Sequence, residues 1–241
     1  MITSIDHIVI LVHDLVTATA DYAALGFTVT PGGEHTGGAT HNALVAFADG
    51  SYLELIAFRR EAPEHIWWRH VANGEGIIDF ALLPESTAGA IADARARGLE
   101  IAGPFPGGRE RPDGVRLEWQ TGRATTPDLP FLCGDVTPRT LRVPSGAAHH
   151  HANGVAGIAR VLVAVTNPAA SAARYRALLG IEGGANATSI EFSLAHSAIV
   201  LVPAGATTRN DDGPFALDLR GGAQGTLEPS HTHGARIRTG A

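Results

Sequence analysis

A chain of 241 residues with 44% hydrophobic and 17% charged side chains can close a sizeable core as one large domain or two small ones, which excludes disordered, fibrous and coiled-coil architectures. Against 24 acidic residues stand 18 basic ones, all of them arginine, for a net charge of -6. The absence of lysine removes Schiff-base chemistry and the phosphate-loop lysine, and the acidic balance argues against nucleic acid as a partner.

Cys133 is the single cysteine, so neither an intrachain disulfide nor a cysteine-rich zinc site can form. No apolar run approaches the roughly 20 residues of a membrane span, and the opening residues lack the basic start and apolar stretch of a secretory signal. The expectation is a cytoplasmic protein with no membrane partner.

His7 to Val12 is a continuous apolar run behind one histidine, the pattern of a buried strand. Asp14 follows as a candidate N-cap for a short helix over Thr17 to Leu25, closed by Gly26. Phe27 to Thr30 returns to strand character before Pro31-Gly32-Gly33. Asn42 to Phe47 and Tyr52 to Phe58 then read as a hairpin, because Asp49-Gly50 favours a two-residue type I′ turn. The order is strand, helix, strand, strand, strand.

That order recurs. Placing Gly26-Phe27-Thr28-Val29 over Gly98-Leu99-Glu100-Ile101 sets an offset of 72, which runs back without a gap through helix and first strand and lays His7 on Asp79. Ile78 to Leu83 is the matching strand and Thr87 to Arg97 the matching helix. Pro106-Gly107-Gly108 repeats the earlier turn, and Val115 to Gln120 and Leu129 to Cys133 supply further strands. A third copy runs from Ile158, with a helix from Pro168 to Leu179 and a hairpin of Ser189 to Leu194 and Ser197 to Val202. The boundaries expected are paired units at 1–72 and 73–137, a linker over 138–155, a third unit over 156–220, and a Gly-rich, weakly ordered tail over 221–241.

A tandem βαβββ unit with a histidine opening the first strand and a glutamate inside the fourth resembles the vicinal-oxygen-chelate superfamily. More narrowly, Asp6-His7-Ile8-Val9, Pro31-Gly32-Gly33-Glu34-His35, Thr40-His41-Asn42-Ala43-Leu44 and Tyr52-Leu53-Glu54-Leu55-Ile56 resemble its glyoxalase-like domain family. The resemblance implies an α+β fold in which two units pair into a cup of strands, with a third unit following. It also implies a divalent metal (Zn, Mn, Fe or Ni) in the cup, for which His7 and Glu54 match the first-strand and fourth-strand ligand positions. The residue chemistry agrees: imidazole and carboxylate suit first-row divalent ions, and a carboxylate inside an apolar strand is costly to bury unless paired or metal-bound.

The second unit presents Asp79 as an oxygen ligand, but its last strand has no carboxylate at the Glu54 position, Glu118 and Asp135 being only nearby. Neither a four-ligand glyoxalase I site nor a two-histidine, one-glutamate set is evident, which leaves His7, Glu54 and Asp79. With a two-residue hairpin, Val45 faces Glu54 and His41 shares its face, as a substrate contact or proton carrier or as a plain strand-edge histidine. Asn42 sits beside it in the same motif. Trp67 and Trp68 are adjacent and cannot share one helix face, so one of them, Trp67, is a candidate at the cup rim. Of His149-His150-His151, His151 is the substrate-binding candidate.

Two functions compete. One is a metal-dependent lyase or isomerase acting on a small substrate with adjacent oxygens, with Glu54 or His41 moving a proton. The other is a metal-free, bleomycin-resistance type protein that sequesters an aromatic or antibiotic-like molecule. The third unit has no fourth to cover its apolar sheet, so a homodimer is expected to cover it.

Overall fold

The first strand, β1 (Ile2–Leu11), lacks strand alternation because both its faces are buried. Val9 and Leu11 point into a smaller apolar cluster with Phe131 and Cys133 inside the barrel, whereas Ile8 and Ile10 point outward into the main core. The chain continues through α1 (Leu15–Ala24), whose N-cap Asp14 accepts from the Thr17 amide at 2.7 Å, and then through β2 (Thr30–His35), β3 (Thr40–Ala46) and β4 (Tyr52–Phe58). The second unit repeats it as β5 (Gly76–Pro84), α2 (Thr87–Ala96), β6 (Ile101–Glu110), β7 (Arg116–Ala124) and β8 (Phe131–Asp135). After a short turn of helix, α3 (Arg139–Arg142), come β9 (Val155–Val165), α4 (Pro168–Leu179), β10 (Gly184–Ala185), β11 (Ile190–Ser193), β12 (Ala198–Pro203), β13 (Gly213–Gly221), β14 (Gly225–Thr226) and β15 (Arg236–Thr239). This is a computed structural model, and it describes residues 1–207 and 209–241.

The eight strands of the first two units close into a barrel in the order β1-β4-β3-β2-β6-β7-β8-β5. Its register obeys the 72-residue repeat. His7 pairs with Ala81 and Val9 with Asp79, and shifting either pair by 72 produces the other. Val9 likewise pairs with Glu54 on β4 while Ala81, its counterpart, pairs with Phe131 on β8. The two units are thus related by an internal twofold, and the paired βαβββ cup expected from sequence is the fold.

Beyond the cup, β9 to β15 form a second sheet in the order β10-β11-β12-β9-β13-β15-β14. Here the structure differs from the expected weakly ordered tail. β13 pairs antiparallel with β9 as β5 does with β1, and β15 pairs parallel with β13 as β8 does with β5. The C-terminal residues therefore supply the first and last strands of an abbreviated fourth unit. Val161, Val163, Leu217 and Ile237 of this sheet belong to the same core as Ile8, Ile10 and Phe80 from the barrel's outer face, and α2 packs on α4. The apolar face that motivated a homodimer is covered within the chain.

The tail is held by burial. Ile237 and Ala235 are both fully buried, and the Tyr22 hydroxyl donates to the Thr232 carbonyl across the core. Replacing Ile237 by Ala is expected to cost about 3 kcal/mol of unfolding free energy, read as a lower urea midpoint at constant slope. A loosely attached tail would leave the midpoint unchanged.

Candidate functional site

The mouth of the cup opens into a cavity of about 310 Å³ whose polar wall comes from the first unit and whose apolar wall comes mainly from the second. A β-bulge lies between Ile5 and His7, where Asp6 is the extra residue. Asp6 and His7 consequently both turn inward although they are neighbours. Asp6, fully buried, accepts from His7 Nδ1–H at 2.7 Å, from Arg139 at 2.6 Å and from Arg142 at 2.8 Å. Burial alone would raise its carboxyl. Arg142, the His7 hydrogen bond and Arg139 outweigh burial and hold it well below the usual carboxylate range.

With Nδ1 committed to Asp6, His7 presents Nε2 to Glu54 Oε2 at 3.3 Å. The ring is fixed by stacking on Tyr52, 4.6 Å between centroids, and by the edge of Phe131. Glu54 is itself buried, and its other oxygen accepts from Asn42 Nδ2 at 2.6 Å and lies 3.4 Å from His35 Nε2. Burial pushes Glu54 up, but hydrogen bonds from His35 and His7 reverse this and leave it well below its ordinary value. Burial likewise opposes charge on His7, and the bonds to Asp6 and Glu54 overcome it, so the imidazole titrates above its usual 6.5.

Gly32 makes room for this arrangement. A Cβ there would fall 1.9 Å from Asn42 Oδ1, which is buried and has no hydrogen-bond partner. Only a glycine lets the Asn42 amide stand close enough to aim its nitrogen at Glu54.

The opposite wall is built differently. Phe131 occupies the place corresponding to Glu54, with the Arg123 guanidinium 4.5 Å above its ring. Asp79, the expected third metal ligand, is instead engaged by Arg123 at 2.6 Å and the Trp67 indole at 2.9 Å through one oxygen, and by the Phe80 amide through the other. Its charge is neutralised by arginine, so it is not brought to His7 and Glu54. Trp67 lines the cup as expected. Among the described residues one cluster, Asp6, His7 and Cys133, places candidate ligand atoms within 4.8 Å of one another. It is unsuited to a metal, because arginines occupy Asp6 and burial pushes the Cys133 thiol far up.

Two further expectations are corrected. The hairpin closes one residue differently from a two-residue turn: Phe47 bonds Ser51, and Gly50, at φ 83°, sits in the left-handed region of a three-residue loop. Leu44 therefore pairs with Glu54, and a one-residue slip exchanges the faces of the strand. Asn42 turns into the cup and His41 turns away from it, so His41 is not placed to carry a proton at Glu54. His151 is buried between main-chain groups, accepting from the Thr28 amide at 2.9 Å and donating to the Ala46 carbonyl at 3.0 Å. Both its nitrogens are used in holding the linker, not a substrate. Sequence reasoning missed His35, which the Glu34-His35 motif contained, and the arginines 109, 123, 139 and 142, for which the replacement of every lysine by arginine was the available signal.

Residues 5–179 match the profile of a family described as a glyoxalase-like domain. No curated protein matches the chain significantly. Among solved structures, a hypothetical protein from Staphylococcus aureus superposes with a TM-score of 0.79 at 14% identity, covering 98% of each chain. A mutant 4-hydroxymandelate synthase from Streptomyces coelicolor gives 0.63 at 15% identity over 91% of this chain and 71% of its own. The Mn(II)-bound glyoxalase from Novosphingobium aromaticivorans gives 0.58 at 16%, over 91% and 65%.

In chelator-treated protein the His7 imidazole is expected to titrate above 6.5 by proton NMR, and Glu54→Gln should lower it. Because the folded value is raised, the stability His7 contributes is present below 6.5 and lost as the pH rises through the folded value. Gly32→Ala should displace the Asn42 amide and lower His7 in the same titration, whereas His151→Ala should cost about 2 kcal/mol of stability without moving it.

Proposed function

This chain belongs to the glyoxalase-like domain family, and we propose that it is a divalent-metal-dependent lyase or isomerase acting on a small substrate with adjacent oxygens. One observation carries the reading. With His7 Nδ1–H donated to Asp6, His7 Nε2 and a Glu54 carboxylate oxygen face each other at 3.3 Å in a buried cup. A proton on Nε2 bridges them when the imidazole is charged, and with that proton gone the two become acceptors whose separation is that of two ligands bonded to one ion at about 2.1 Å each. Asp6 behind His7 is the carboxylate partner that metal-bound histidines ordinarily have.

His7 Nε2 and Glu54 Oε2 would hold the ion, which supplies Lewis acidity toward the substrate's adjacent oxygens. The chain's own residues do the rest. Asp6, clamped by two guanidiniums, fixes the tautomer and plane of His7. Asn42 draws Glu54 Oε1 aside, leaving Oε2 toward His7. His35, whose Nε2 lies 3.4 Å from Glu54 Oε1 and whose Nδ1 meets the Thr40 hydroxyl, carries the proton in place of His41. The apolar wall at Phe131 and Trp67 excludes water from the developing charge.

The same apolar wall supports a second reading, sequestration of an aromatic molecule without metal. Elemental analysis of protein made without an affinity tag and loaded with Mn, Zn, Fe or Ni separates the two. The enzyme reading expects close to one ion per chain, lost in His7→Ala and reduced in Glu54→Gln. Less than about 0.2 ion per chain, unaffected by His7→Ala, establishes the sequestration reading instead.

A further inference from the structure

Arg109, on β6, reaches into the barrel and is only 3% exposed. It lines the floor of the cup. Its guanidinium donates to two main-chain carbonyls, those of Gly32 and Arg142, and among the described residues no carboxylate lies within 4.0 Å of it. The neighbouring acids are all committed: Glu54 to Asn42, His7 and His35, Asp6 and Asp135 to Arg139 and Arg142, and Asp79 to Arg123. A guanidinium carries five N–H donors, so three on Arg109 are left without a protein acceptor. A buried charge with no counterion is costly, and buried arginines are ordinarily matched by an anion.

The rest of the cup shows what accompanies that anion. Trp67, Trp119, Phe105 and Phe131 line it, and at its mouth Phe105 is 50% exposed and Ile66 43% exposed, an apolar rim open to solvent. Arg123 and Arg142 also line the cavity, but each already carries its own carboxylate. With Asp6 and Asp135 set against Arg139 and Arg142, Asp79 against Arg123, and Glu54 against a protonated His7, the unmatched charge is the single positive one of Arg109, which a monoanion balances and a phosphate dianion overcompensates.

We propose that the cup is selective for aromatic carboxylates, the ring lying against the Trp67, Trp119 and Phe131 wall and the carboxylate accepting from Arg109. This names the substrate class of the site proposed above and rests on that cup being the substrate site, but not on a metal being bound. Arg109 is a specificity-determining residue in this scheme. It meets the part of the substrate that does not react.

The test uses the full chain treated with chelator, so that no metal contributes to anion binding, and follows quenching of tryptophan fluorescence. Phenylacetate, methyl phenylacetate, phenylacetamide and inorganic phosphate are titrated in parallel. Phenylacetate should quench saturably and bind at least about tenfold more tightly than the ester or amide, because only the acid supplies a charge-assisted acceptor. Inorganic phosphate should not displace it. In Arg109→Gln, checked for native circular dichroism, the acid should lose its advantage, and Arg109→Lys should restore part of it. Equal binding of acid and ester by the unaltered chain overturns the proposal, and this comparison does not require any variant to fold. So does the absence of saturable quenching by phenylacetate up to about 10 mM, displacement by phosphate, or an acid preference that survives in folded Arg109→Gln. Each of these leaves the metal stoichiometry, and with it the metal-dependent reading, separately decided.

Discussion

The buried carboxylate of Asp6 is the interaction on which the rest of the site depends. Removing a carboxylate from water costs several kcal/mol, and here two guanidiniums and one imidazole compensate it completely enough to keep it ionised. The three partners come from two places: His7 from the same bulge of β1, and Arg139 and Arg142 from the short helix after β8. Asp6 thereby joins the first strand of the cup to the segment that leaves it. Arg142 passes the constraint on, since it also binds the Tyr52 hydroxyl at 2.7 Å while Tyr52 stacks on His7. The orientation of the His7 ring, and so the direction of its Nε2, is set from behind and from the side before any ligand arrives.

Symmetry of backbone coexists with asymmetry of chemistry. The internal twofold places Glu54 and Phe131 at corresponding points of the barrel, yet one carries charge and the other a ring. His7 and Asp79 correspond in the same way, and Asp79 spends its charge on Arg123. Pairing two copies closes the barrel and buries both inner faces. Divergence of one copy then leaves a cavity with a polar half and an aromatic half, the arrangement needed to orient a small molecule that has one oxygen-rich end and one apolar end.

The second sheet repeats this logic in reduced form. β9 needs a partner along its edge and a cover over its apolar face. β13 supplies the first, and the outer face of the cup supplies the second through Ile8, Ile10 and Phe80. Burying both sheets against one another accounts for the continuous apolar runs of β1 and β12, neither of which alternates.

By itself the sequence determined the βαβββ unit and its repetition at 72 residues, because strand and helix periodicity, caps and turn glycines are local signals repeated in one order; the pairing of two copies into a cup was implied by the family resemblance those units carry. It also pointed to His7 and Glu54, since a charged residue inside an apolar strand is conspicuous without any structure. It did not decide which face His41 and Asn42 occupy. That depended on whether a hairpin loop held two residues or three, and alternation turns a difference of one residue into an exchange of faces. Nor could it show that Asp79 is neutralised by Arg123, that Asp6 gathers Arg139 and Arg142, or that Arg109 is left without an acid. Those pairings join residues 44, 133 and 136 positions apart, and only the closed barrel brings such distant charges within reach of one another.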